Sequence, residues 1–89
     1  MYNLYDPVTL ANLCRTYGLR PSKQYGQNYL IEPEVIETIL DVAAVQDHET
    51  IVEVGPGFGV LTEALAPLAK RLVSFEIEQK LTAYWDKRR

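Results

Sequence analysis

Apolar positions recur along the chain with two different periods, and the switches between them divide it into six elements. Leu10, Leu13, Cys14 and Tyr17 fall three or four apart within Val8–Tyr17, the stripe of an amphipathic helix. Asp6 and Pro7 stand where a helix start takes a capping acceptor and a residue that needs no N–H. Gly18 stands where a helix takes a left-handed residue after its last turn. Residues 19–32 keep no period and hold Pro21, Ser22, Gly26 and Asn28, which predicts a loop. A second stripe opens at Pro33, with Val35, Ile36, Ile39, Leu40, Ala43 and Ala44 on one face. After the polar turn "QDHET", Thr50–Val54 is largely apolar, the pattern of a strand in a parallel sheet covered by helices. A glycine-rich bend and a helix over Val60–Ala69 follow, with Pro67 marking fraying or an early end. Leu72–Ile77 reads as a second strand, and Gln79–Lys87 as a last helix with Leu81, Tyr84 and Trp85 on one side.

Strand, bend, helix, strand is a βαβ unit, which predicts parallel pairing through a right-handed crossover. Doubly wound sheets usually have about five strands or more, so two strands read as the opening of such a sheet, cut off after its second strand. The length of 89 residues allows one small domain or part of a larger one.

Composition narrows the class. An apolar fraction of 47% and a charged fraction of 24% are ordinary for a globular protein and argue against disorder. No apolar run is long enough to cross a membrane, and "MYNLYDPVTL" lacks the basic start and unbroken apolar stretch of a signal peptide. One cysteine forms no internal disulfide, and with no export signal the cytoplasm is the expected compartment. The net charge of −3 hides a gradient: residues 31–69 carry carboxylates but no Lys or Arg, while the two ends are basic. That distribution does not by itself point to nucleic acid. His48 lies in a polar turn without metal-ligand spacing, so no metal is expected. Cys14 lies on an apolar stripe and reads as a buried thiol, and Tyr84 and Trp85 read as cover for the sheet.

The candidate chemistry sits at "IVEVGPGFGVLTEALA". A glycine-rich strand-to-helix bend leaves backbone amides bare at a helix N-terminus, which suits a nucleotide or another anion-bearing cofactor. Gly55 permits the tight turn, while Gly57 and Gly59 let a ligand or a neighbouring backbone come close. Glu76, downstream of Gly55, falls at the second strand's C-terminal end, where a carboxylate can accept both hydroxyls of a ribose. The dinucleotide fingerprint G-x-G-x-x-G is not met, because the third glycine comes one position early and Val60 takes its place. Glu53 instead gives E-x-G-x-G-x-G, which resembles the first motif of class I S-adenosylmethionine-dependent methyltransferases. In that setting Glu53 orients the loop or the cationic end of the cofactor, or simply lies on a partly exposed strand end.

Upstream, "KQYGQNYLIEP" is odd for a solvent loop and could fold over such a cofactor. Together, Gly26-Gln27-Asn28-Tyr29-Leu30 and Glu53-Val54-Gly55-Pro56-Gly57-Phe58-Gly59-Val60-Leu61-Thr62 closely resemble the bacterial ribosomal RNA adenine dimethyltransferases of the KsgA type. The spacings from Asn28 to Gly55 and from Gly55 to Glu76 agree with that family, and the resemblance covers roughly residues 20–82. Tyr29 departs from the usual Phe.

The resemblance implies the α/β fold class, as the N-terminal part of a Rossmann-like methyltransferase fold with two parallel strands and flanking helices. It divides the chain into residues 1–32, a helix and cofactor-covering loop, and residues 33–89, the first βαβ part of the cofactor domain. It implies S-adenosylmethionine as cofactor, contacted by Asn28 and Leu30, lined by Gly55 and held at its ribose by Glu76. It implies small-subunit ribosomal RNA, or the immature ribosomal subunit, as partner, with dimethylation of adjacent adenines as the reaction. The family's catalytic Asn-[Ile/Leu]-Pro-aromatic loop does not occur in these residues, so the 89 residues on their own are expected to be inactive. The macrolide-resistance methyltransferases of large-subunit RNA are the near alternative, and a non-catalytic RNA- or ribosome-binding module that kept the cofactor loop is another.

Overall fold

The computed structural model describes residues 2–19 and 31–88. Its elements run in the predicted order: α1 (Pro7–Thr16), α2 (Pro33–Ala43), β1 (Thr50–Val54), α3 (Val60–Leu65), β2 (Arg71–Phe75), a 3₁₀ turn (Gln79–Leu81) and α4 (Thr82–Asp86). β1 and β2 pair in parallel, from Thr50 opposite Arg71 to Val54 opposite Phe75. The chain is α/β, with two parallel strands and flanking helices, as expected. Among the described residues no helix is long and apolar enough to cross a membrane.

Local chemistry sets both ends of α1. The Asp6 carboxylate accepts from the Thr9 N–H at 3.3 Å and the Thr9 hydroxyl at 2.8 Å, and the hydroxyl bond chiefly holds Asp6 below the usual carboxylate range. At the other end Gly18 adopts φ +71°, which lets Leu19 N–H reach back to Cys14 O at 2.7 Å and Gly18 N–H to Arg15 O at 3.3 Å. The α1 stripe buries Leu10, Leu13 and Cys14 in one cluster with Leu4, Leu19, Ile36, Phe58, Val60, Leu81 and Tyr84. Full burial of one such leucine contributes about 1.5–3 kcal/mol, so α1 is held by packing more than by helix propensity. Burial also raises the Cys14 thiol above its ordinary pKa, so the thiol stays protonated and inert.

Several boundaries differ from the sequence expectation. α3 stops at Leu65 instead of Ala69, because Pro67 has no N–H to continue the ladder and Leu68 and Ala69 both turn back to Leu65 O. Ala44 closes α2 as a left-handed cap (φ +46°), and of that helix's apolar face only Ile36 is fully buried. β2 starts at Arg71 and ends at Phe75, so Glu76 follows the strand and Ile77 lies outside it, 89% exposed. The last helix is split, because the Glu78 carboxylate accepts from Lys80 N–H at 3.1 Å and tightens the first turn to 3₁₀.

The sheet is covered on one face only. Glu53 and Ile51 point towards the helices, while Val52, Val54 and Phe75 on the other side are exposed. The helix-covered strand expected of β1 is seen on the face that carries Ile51 and Glu53.

Candidate ligand site at the glycine loop

β1 delivers the chain into the bend Gly55–Gly59 at the C-terminal end of the sheet. Gly55 N–H extends the ladder by donating to Phe75 O at 2.8 Å, and its φ of +72° turns the chain where an L side chain would be strained. Gly57 N–H donates to Glu76 Oε1 at 2.9 Å, and Gly59 N–H to Pro56 O at 2.9 Å. The three glycine amides are thus spent within the protein. The expectation of bare amides is corrected at these positions: the β2 carbonyl of Phe75, the Glu76 carboxylate and a turn carbonyl reach them first.

Two carboxylates fix the surroundings. Glu53 is buried, and its Oε1 accepts from the Thr62 hydroxyl at 2.5 Å and the Ser74 hydroxyl at 2.8 Å. Bonds from hydroxyls to a carboxylate are short and charge-assisted, and they offset the cost of burying the charge. Glu53 therefore joins β1 to α3 and β2 beneath the bend. Glu76 is half-buried at the mouth of the loop; Oε1 holds Gly57 N–H and Oε2 holds Glu78 N–H, each at 2.9 Å. A carboxylate offers about four lone-pair directions, so acceptor capacity remains on its open side. A cleft of about 420 Å³ opens there, with Pro56, Glu76, Glu78, Thr82 and Trp85 among its walls.

The loop carbonyls are held by side chains of α4. Trp85 Nε1–H donates to Gly57 O at 2.9 Å, and the Tyr84 hydroxyl donates to Phe58 O at 2.6 Å. Tyr84 is fully buried, and burial pushes its hydroxyl pKa up to about 12. Its ring meets Phe58 edge-on at 5.1 Å, and Arg88 lies 4.3 Å over it. These residues brace the glycine loop instead of merely covering the sheet. Among the described residues no group of three or more His, Cys, Asp and Glu could hold a metal ion.

The sequence profile described as ribosomal RNA adenine dimethylase matches residues 18–88. The chain belongs to that family. Curated relatives named ribosomal RNA small subunit methyltransferase A include one from Staphylococcus haemolyticus, 46% identical over 79 residues, which cover 89% of this chain and 27% of the relative. The Streptomyces griseus protein is 44% identical over 80 residues (90% and 28%), and that of Anoxybacillus flavithermus 43% over 79 residues (89% and 27%). The chain thus spans just over a quarter of the length of the relatives it matches.

Within this dimethylase framework the structure brings Glu53, Gly55, Gly57, Gly59 and Glu76 together at one end of the sheet. Asn28 and Leu30 lie outside the described residues. His48 is a surface residue beside Asp47. Sequence reasoning missed the clamping partners Thr62, Ser74, Tyr84 and Trp85. The available signal was chemical: a lone Trp and a neighbouring Tyr each carry a donor that must find an acceptor when buried.

Proposed function

We propose that the chain carries the cofactor-binding first part of an S-adenosylmethionine-dependent methyltransferase that dimethylates adjacent adenines of small-subunit ribosomal RNA. The observation that carries this reading is the Glu76 carboxylate seated on Gly57 N–H, which joins the acidic residue after β2 to the glycine loop. The fit is chemical. The glycine amides are spent within the protein, and S-adenosylmethionine carries no pyrophosphate that would need them. A carboxylate with open acceptor positions suits a ribose diol and tolerates a nearby sulfonium.

In this reading Glu76 accepts from the ribose hydroxyls, and the Gly55–Gly59 backbone lines the cofactor. Asn28 and Leu30 contact it from the preceding loop. Glu53 acts on the loop through Thr62 and Ser74. When bound, S-adenosylmethionine supplies an electrophilic methyl carbon, and the target adenine must leave its stack to present its exocyclic amine. The relatives' names favour the small subunit over the large-subunit alternative. They equally favour an enzyme over a non-catalytic binding module.

The test is calorimetry of S-adenosylmethionine binding to the intact protein. Glu76→Gln weakens the charge-assisted acceptor, and hydrogen bonds to charged groups contribute about 1.5–3 kcal/mol, so affinity should fall on the order of tenfold to a hundredfold. Glu37→Gln, an exposed carboxylate on α2, should stay within about twofold. Glu78→Ala is not a neutral comparison, because it removes the Lys80 cap. Equal, small effects of Glu76→Gln and Glu37→Gln would sink the ribose assignment.

A further inference from the structure

Trp85 and Tyr84 are consecutive on α4, so their side chains leave the helix about 100° apart. Two such residues do not lie flat on one surface. Here they grip two consecutive carbonyls instead, those of Gly57 and Phe58. A third contact closes the set. A Cβ added to Gly59 would stand 2.7 Å from Trp85 Cη2, so the missing side chain at Gly59 makes room for the indole and not only for a ligand. The residue at the centre is Gly57. Its N–H is held by Glu76 and its C=O by Trp85. Loss of the indole bond leaves the Gly57 peptide held by Glu76 alone, so the position of that peptide against the Glu76 carboxylate is less fixed.

We propose that Trp85 and Tyr84 are positioning residues that hold the glycine loop and, through Gly57, the Glu76 carboxylate in a ligand-ready arrangement before any ligand arrives. This rests on the cofactor reading above for the identity of the ligand, while the brace itself is a property of the free protein. Trp85 acts as a donor and a spacer. Its indole N–H sets where the Gly57 peptide lies, and its ring sets how near α3 comes to α4. Tyr84 fixes the next peptide. A loop ordered in advance loses less freedom on binding, so the brace is expressed as affinity.

The experiment uses the intact protein with S-adenosylmethionine as the probe, well below the melting temperature. Trp85→Phe keeps an aromatic ring but loses the donor, and Tyr84→Phe loses only the hydroxyl. Each should lower affinity about threefold to tenfold with the far-ultraviolet spectrum unchanged. Affinities within about 1.5-fold of wild type for both variants would overturn the proposal. A double-mutant cycle tests the contact independently of the ligand. Gly59→Ala should lower the thermal midpoint markedly in the wild-type protein and clearly less beside Trp85→Leu, where the clash with the indole is relieved. Equal losses in both backgrounds would overturn the brace. Should Gly59→Ala alone fail to fold, recovery of folded protein on adding Trp85→Leu supports it, and no recovery counts against it. If the wild-type protein bound no S-adenosylmethionine, the cofactor reading would fail, and the cycle would still decide whether the brace exists.

Discussion

The two ends of the polarity scale meet across a single sheet. At its C-terminal end the glycine amides, the Glu53 and Glu76 carboxylates, the Tyr84 hydroxyl and the Trp85 indole are all bonded to one another or to the loop and its supports. On the face away from the helices, Val52, Val54 and Phe75 are 62%, 78% and 56% exposed. The site's polar framework closes within residues 53–85, whereas the packing of the strands that carry it does not close among the described residues. A site and its supporting core are thus separable: the first depends on a few directional bonds, the second on area removed from water.

That contrast can be broken or sharpened by measurement. The largest effect is expected on the covered side. Leu81→Ala empties a position only 1% exposed beside Tyr84 and should cost about 2–5 kcal/mol, read from chemical denaturation. A domain has about 5–15 kcal/mol in hand, so the variant should lose a large share of its stability. Next comes the Tyr84 hydroxyl. Its folded pKa is raised from 10.0 to about 12, so the stability it contributes is complete below pH 10 and is lost as pH rises from about 10 to 12. Tyrosinate absorbance should show a late-titrating component that is absent in Tyr84→Phe. No late-titrating component in wild type would mean that the loop brace is open in solution. The smallest effect belongs to the bare face. Val54→Thr should change stability by less than about 0.5 kcal/mol. A loss above about 1 kcal/mol would mean that this face is covered in solution, and the contrast would disappear.

What the sequence disclosed followed the range of the physics involved. Asp6, Pro7 and Gly18 bracket α1 through short-range bonds, and the motif chemistry was visible in the residues themselves. The meeting of Glu76 with the glycine loop was also legible, because a βαβ unit brings both strand ends to one edge. Tertiary bonds between polar side chains and distant backbone or side-chain partners were not. Ser74 lies 21 residues from Glu53, and Trp85 lies 28 from Gly57, and no periodicity encodes such pairings. Tyr84 and Trp85 shared a stripe with Leu81, so burial was evident while the acceptors of their donors were not. The α2 stripe misled in the other direction: Val35 and Ile39 have helical spacing, yet 48% and 36% of their surface stays exposed.

The bond from Trp85 to Gly57 also sets the point in synthesis at which the loop can be fully restrained. A chain leaving the ribosome presents Gly55–Gly59 first, then β2 and Glu76, and the indole last. At about 5–20 residues per second the loop waits on the order of seconds, while the chain from Gly59 to Trp85 is added, before its final restraint exists. For the first part of that interval, until residue 74 is added, Glu53 also lacks its Ser74 partner. The shape of the glycine loop is therefore completed by the last helix to be translated among these elements, not by the motif that announces it.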